Sequence, residues 1–401
     1  MKNITYIVFF ILISLNSPAQ WIQLDGILGG DVRSITALNS KIFAAYYEGG
    51  IYSSTNNGLN WNYSGLSNRI LYSLINNGVY VFAGASTGVF RSTDNGLNWN
   101  SLSGGAPLAS VYAFTTSGSN IFAGVNNLIL DPAVYKSTNS GINWTPANLT
   151  NQTVTALTTL NTNLFAGTYN GIFLSTNLGQ NWITVNNGLS NYTIRALAVS
   201  GINIYAGTNS GIYISTNNGL NWNNISNEFT SQSILSVITY DSSVFVGTYS
   251  NGIYMTSNNG NNWIQKNQGF SQIYHFKALY IYSNYIFAGT SGASVWRRSL
   301  SEIIGIQPIS SIVPDKFSLS QNYPNPFNPT TNIKYQIKNN SFVTLKVYDI
   351  LGKEIATLVN EKLKPGEYES TFDGSSFSSG IYFYRLTCGD FTQTNRMVLI
   401  K

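Results

Sequence analysis

An eight-residue motif recurs six times between residues 54 and 263, and no other feature narrows the fold as far. It reads Ser-Thr-Asn-Asn-Gly-Leu-Asn-Trp at 54–61 and returns with small changes at 92–99, 137–144, 175–182, 215–222 and 256–263. Its tryptophans, Trp61, Trp99, Trp144, Trp182, Trp222 and Trp263, lie 38 to 45 residues apart. A period of about 40–45 residues is that of one four-stranded blade of a β-propeller. Each unit breaks into four short apolar or alternating runs, which in the fifth unit are 194–199, 204–207, 211–215 and 221–225. Gly, Asn and Ser punctuate the joins, as tight hairpins require. With the strands called A to D, the octamer is the C–D hairpin. Its glycine (Gly58, Gly96, Gly141, Gly179, Gly219 or Gly260) permits positive φ. Its amide or acid (Asn56, Asp94, Asn139, Asn177, Asn217 or Asn258) can bond the amides of the turn, and its tryptophan opens strand D as a large apolar anchor.

The octamer resembles the Asp-box, the BNR repeat named for bacterial sialidases, with the pattern Ser-x-Asp-x-Gly-x-x-Trp. Five copies carry Asn at the third position and Asp94 alone matches strictly. The resemblance implies a turn and an architecture. In families that share the box it lies away from the active site, so it implies no sialidase activity.

Blade number follows from strand A. An apolar–x–Ala/Ser–apolar pattern occurs seven times, at 35–38, 71–74, 111–114, 154–157, 194–197, 234–237 and 276–279. Seven A strands and six octamers leave one blade without a D strand. Residues 20–24 supply an orphan one, with Trp21 in the place of the octamer tryptophans. The expected fold class is all-β: a seven-bladed propeller over 20–300, closed by an N-terminal strand. Closure removes the sheet edges that invite pairing with other chains.

Composition excludes other classes. Charged residues are 9% of the 401 and aromatics 14%, with a net charge of +5 and 51 asparagines. A disordered chain has few aromatics and high net charge. A coiled coil is rich in Ala, Glu, Lys, Leu and Arg. A nucleic-acid binder carries a basic cluster, and no such cluster occurs here. The single Cys388 forms no intramolecular disulfide and reads as a small buried residue.

Residues 1–19 read as a secretory signal peptide: Lys2, an apolar run at 4–15, then small residues before Gln20. That run is too short to span a bilayer, which takes about 20 residues. After 300 the composition changes, with 17 charged residues in 21–300 and 19 in 301–401. A linker at 301–314, with Pro308 and Pro314, precedes a tail that alternates like a small Ig-like β-sandwich, with strands at 332–338, 342–349, 354–359, 367–372, 380–386 and 394–400. The tail carries Gln321-Asn322-Tyr323-Pro324-Asn325-Pro326-Phe327-Asn328-Pro329, then Val347-Tyr348-Asp349-Ile350-Leu351-Gly352, then Ser379-Gly380-Ile381-Tyr382-Phe383-Tyr384-Arg385, then Met397-Val398-Leu399-Ile400-Lys401. In that order these motifs resemble the type A C-terminal sorting domain of the type IX (Por) secretion system of Bacteroidota and relatives such as Ignavibacteria. The resemblance covers 315–401. It implies a partner, the type IX machinery, and delivery through the periplasm to the cell surface or the medium, commonly with cleavage of the domain.

Positions that vary between repeat units are free to meet a ligand. Chain direction places the D–A and B–C connections on one face and the octamer turns on the other. In strand A the variable position reads Thr36, Tyr72, Tyr112, Thr155, Arg195, Leu235 and Lys277. The D–A loops add Arg33, Arg69, Tyr192, Tyr274 and His275, and the B–C loops add Tyr47, Glu48, Tyr169 and Tyr249, with an insertion at 125–133 that includes Asp131. The ligand-binding candidates are Arg33, Tyr47, Arg69, Tyr72, Tyr112, Tyr169, Tyr192, Arg195, Tyr249, Tyr274, His275 and Lys277. Tyr supplies flat apolar area and a hydroxyl at low entropic cost, which suits a glycan or a peptide.

Catalysis has little to work with. Residues 21–300 hold seven acids, and Asp31, Glu48 and Asp131 are the ones placed on this face. A glycosidase needs two carboxylates flanking one bond. The sequence offers no metal-spaced His/Cys set, no phosphate-cradling Gly loop and no nucleophile elbow. No catalytic residue, metal or cofactor is assigned. The expectation is a secreted, monomeric binding or interaction module without a membrane span. The alternatives are a carbohydrate-active hydrolase on the same propeller and a structural surface protein with no small ligand.

Overall fold

A computed structural model describes residues 20–24, 29–126, 132–229, 231–304, 313–363, 365–375 and 377–401. The expected signal peptide, residues 127–131 of the insertion with Asp131, and 305–312 of the expected linker lie outside them. The chain divides into two compact units after Ile303.

In the first unit the described residues form seven four-stranded antiparallel sheets. In the first sheet Val32–Leu38, Lys41–Tyr46, Gly50–Ser54 and Asn62–Gly65 lie side by side in chain order. Five more repeat the arrangement. The seventh takes Phe276–Tyr282, Tyr285–Thr290 and Val295–Ser299 from one end of the unit and Ile22–Gln23 from the other. Ile22 pairs with Arg297 and Gln23 with Trp296. The first strand of each sheet packs against the first strands of the sheets before and after it, and that of the seventh against that of the first. The fold is all-β and propeller-like.

The octamers fold as six copies of one turn. In the second, the Ser92 hydroxyl donates to Asp94 Oδ1 (2.9 Å) and accepts from the Gly96 amide (2.7 Å), while Asp94 Oδ1 accepts from the Asn98 amide (2.8 Å). Where Asn replaces Asp the side-chain oxygen does the same work: Asn56 accepts from the Asn60 amide and Asn217 from the Asn221 amide, both at 2.9 Å. Accepting through Oδ1 needs only an oxygen, so Asn serves the turn amide as Asp does, while Asp94 alone adds a second acceptor, Oδ2, for the Asn98 side chain (2.7 Å). Glycine is required. Gly96 has φ +84°, and an added Cβ would lie 2.3 Å from Phe43 Cε1.

Four of the six octamer tryptophans tie their sheet to the one before. Trp99, Trp182, Trp222 and Trp263 donate through Nε1 to the carbonyls of Ser64, Ala147, Val185 and Ile225 at 2.7–2.9 Å. Trp21 donates to the Lys266 carbonyl at 2.6 Å in the same way, so the N-terminal segment fills the place of a fourth strand. Trp144 instead turns back to Gly141 of its own turn (3.1 Å).

In the second unit Ser318–Leu319, Thr330–Ile337 and Gly366–Asp373 form one sheet. Glu354–Leu363, Ser341–Tyr348, Gly380–Cys388 and Phe391–Leu399 form another. Alternate residues of both, among them Ile333, Tyr335, Val343, Leu345, Tyr384 and Leu386, close on one core. Each strand expected in the tail lies within or overlaps an observed one. Cys388 belongs to this core, and burial pushes its thiol up to about 11. Where the linker was expected, Leu300–Ile304 forms a short helix, because Leu300 and Ile303, three apart, bury on one side.

Candidate functional site

The first strand of every sheet departs from regular pairing at one place. Its register with the second strand skips a residue, between Val32 and Ser34 in the first sheet and between Phe276 and Ala278 in the seventh. The skipped residues are Arg33, Tyr72, Tyr112, Thr155, Arg195, Leu235 and Lys277. A bulge bends the strand and re-aims the extra side chain. Repeated around the unit, it turns these seven side chains into one cavity of about 760 Å³, and all seven line it. The loops between second and third strands reach the same end, because antiparallel pairing brings the end of the second strand beside the start of the first. They contribute Tyr47, Tyr169, Asn209 and Tyr249, and Ser233 completes the lining.

This corrects the register expected for the first sheet. Two overlapping copies of the A-strand pattern occur there, Val32-Arg33-Ser34-Ile35 and Ile35-Thr36-Ala37-Leu38. Pairing of Val32 with Tyr46 selects the earlier one. Arg33 is therefore a bulge residue, not part of a loop. Thr36 is buried, with its hydroxyl accepting from the Asn76 amide nitrogen (3.2 Å).

The cavity wall has two unlike sides. On one, Asp31 Oδ2 receives Arg33 Nη2 and Lys277 Nζ, both at 2.9 Å, joining the first and last sheets. Arg33 also lies over the Tyr47 ring (4.4 Å to its centroid). Tyr47, Tyr72 and Tyr112 run edge to face, with centroids 5.9 and 4.6 Å apart. Burial raises the Tyr112 phenol above its ordinary range, and the neighbouring Tyr72 and Tyr169 add to the rise while the Asn126 amide opposes it. On the other side Arg195 lies over Tyr169 (5.6 Å) and donates from Nε to Asn209 Oδ1 (2.7 Å). Tyr169 and Tyr249 are 44% and 50% exposed, and each ring has one face covered, Tyr169 by Arg195 and Tyr249 by His275.

Eight of the twelve binding candidates thus meet in one place: Arg33, Tyr47, Tyr72, Tyr112, Tyr169, Arg195, Tyr249 and Lys277. Four do not line the cavity. His275 stacks flat behind Tyr249 (centroids 3.8 Å apart) and supports that ring. Tyr274 packs against Phe270 and Trp296. Arg69 lies over Phe90, and Tyr192 projects into solvent. Asn209 and Ser233 were missed. Asn209 was legible, since it follows Thr208 as Tyr169 follows Thr168 and Tyr249 follows Thr248.

Residues 321–401 match the secretion system C-terminal sorting domain. The chain carries a type IX sorting domain. Its export is by type IX secretion, to the cell surface or beyond. Residues 10–130 match the DUF6242 β-propeller domain. No curated protein matches the sequence.

Among solved structures the chain is similar to YCF48 from Cyanidioschyzon merolae, at 15% identity and TM-score 0.57, over 71% of this chain and 99% of that one. It is similar to PorZ, a surface component of the type IX secretion system of Porphyromonas gingivalis, at 14% identity and TM-score 0.54, over 93% of this chain. The match spans 60% of PorZ. An ancestral GH74 enzyme matches at 13% identity and TM-score 0.58, over 94% of this chain and 63% of that one. These likenesses establish the fold. No helix among the described residues is long and apolar enough to cross a membrane.

Proposed function

We propose that the protein is an exported binding module: a seven-bladed propeller of Asp-box type over 20–300, closed by residues 20–24, whose cavity holds a glycan or peptide ligand. Residues 1–19 act as a signal peptide, and the Ig-like tail at 315–401 hands the chain to the type IX machinery after the linker. The observation that carries the reading is the convergence of five tyrosines and three cations on one cavity, Tyr72, Tyr112 and the cations from the equivalent bulges and Tyr47, Tyr169 and Tyr249 from the loops between second and third strands. Repeat columns that serve the fold stay alike, and this column varies from Arg to Tyr to Leu. A structure with the fold of YCF48 has been solved with D1 peptide bound, so such a propeller can hold a peptide.

The test is a glycan and peptide array probed with the protein lacking residues 1–19. Binding that falls at least tenfold in Tyr169→Ala and Tyr249→Ala supports the reading. Turnover of a bound glycan would favour the hydrolase alternative. Silence across both arrays would favour a structural surface protein. Deleting 315–401 is expected to leave the protein in the periplasm, and normal secretion of the truncation would refute the sorting role.

A further inference from the structure

The two sides of the cavity differ in charge compensation. Arg33 and Lys277 share one carboxylate, Asp31. Arg195 has no carboxylate partner among the described residues. Its Nε is fixed by Asn209 Oδ1 (2.7 Å), which also accepts from the Ser233 hydroxyl (3.3 Å). Its guanidinium rests over Tyr169. The outer nitrogens, Nη1 and Nη2, make no hydrogen bond among the described residues. The result is a planar donor fork in the cavity lining, held through Nε by Asn209, with the exposed Tyr169 and Tyr249 in the same lining. Such a fork matches the two oxygens of a carboxylate, and the charge makes those bonds stronger than neutral ones.

Resting on the binding reading above, we infer that the cavity takes an acidic glycan, a uronate-bearing oligosaccharide whose carboxylate sits on Arg195. A sugar ring packs on a flat aromatic face flanked by donors, and the exposed Tyr169 and Tyr249 line the same cavity as this fork. Leu235 is the one aliphatic side chain among the residues lining this cavity, which is otherwise aromatic, cationic and polar.

The test is calorimetric titration of the full chain at low salt with three probes: a galacturonate hexamer, the same hexamer with its carboxyls reduced to alcohols, and a hexaglutamate peptide. The uronate is expected to bind, and carboxyl reduction to weaken binding about ten- to a hundredfold, as losing a charge-assisted fork should. Arg195→Gln should cost the same factor for the uronate and a markedly smaller one for the reduced hexamer. Arg195→Lys, which keeps the charge and loses the fork, should recover part of it. The carboxyl-reduction comparison uses only the unaltered protein, so it stands if a variant misfolds. Equal binding of the uronate and its reduced form overturns the inference and leaves the binding reading intact, as does binding of hexaglutamate without the uronate. No binding of these probes, with arrays also silent, removes both.

Discussion

Trp21 is where the closure of the first unit can be tested in a single side chain. It is 1% exposed, stacks on Phe270 with centroids 5.2 Å apart, and donates to the Lys266 carbonyl, 245 residues away in sequence. Its own amide donates to the Gln268 carbonyl at 2.7 Å. Truncating a buried tryptophan to alanine costs about 3–5 kcal/mol, from lost burial and the cavity left behind. In a unit of this size each kcal/mol lowers Tm by roughly 2–4 °C, so Trp21→Ala should lower it by about 6–20 °C. Trp21→Phe keeps a ring against Phe270 and loses the indole N–H, and should cost about 1–2 kcal/mol. The control is Leu59→Ala, at an exposed turn tip, where about 0.5 kcal/mol or less is expected. Unfolding is followed by near-ultraviolet circular dichroism. If Trp21→Ala melts within about 2 °C of the Leu59→Ala control, residues 20–24 do not close the unit.

What the sequence revealed and what it hid have separate physical causes. Turns and sheets repeat, and repetition makes local chemistry visible: the same Ser or Thr, Asn or Asp, Gly and Trp return in every octamer because each copy must satisfy the same amides. Trp21 could be read as a fourth-strand residue for that reason. The bulge left a weaker mark. It adds one residue to a strand without changing the apolar–x–small–apolar pattern, so in the first sheet two registers three residues apart looked alike. Pairing of Val32 with Tyr46 decides between them, and that is a contact, not a composition. The cavity was legible as a set of variable positions, which is why eight of twelve candidates converge. The four that do not are loop residues such as His275, whose side chain could face the cavity or the ring behind it. Only packing against Tyr249 settles which. The division of charge in the cavity was hidden altogether, because Asp31 and Lys277 meet across 246 positions.

Three further outcomes can be checked. Cys388, buried in the core of the second unit with its thiol pushed up to about 11, should resist a thiol reagent at pH 8 and react only on unfolding; rapid labelling of the native protein would contradict its place in that core. Gly96→Ala should destabilise by about 1–3 kcal/mol in urea melts, since φ +84° disfavours any Cβ and Phe43 occupies its space. Asp94 ties acid sensitivity to one octamer. Its carboxylate accepts from the Asn98 amide and side chain, the Ser92 hydroxyl and the Leu97 amide, which holds its pKa at about 2 against an ordinary 3.8. A depressed folded-state pKa means the unfolded chain takes up the proton first as pH falls. The stabilisation is therefore complete above about pH 4 and drains away as pH drops through 2. Asp94→Asn keeps the accepting oxygen, as the Asn-bearing turns do, and removes the titration. The variant's Nδ2 cannot accept from the Asn98 side chain as Asp94 Oδ2 does (2.7 Å), so in melting curves it should start below the parent at pH 6 and close the gap as pH falls to 2, losing less on the way. Identical acid limbs would show that these bonds do not favour the ionised form in the folded protein.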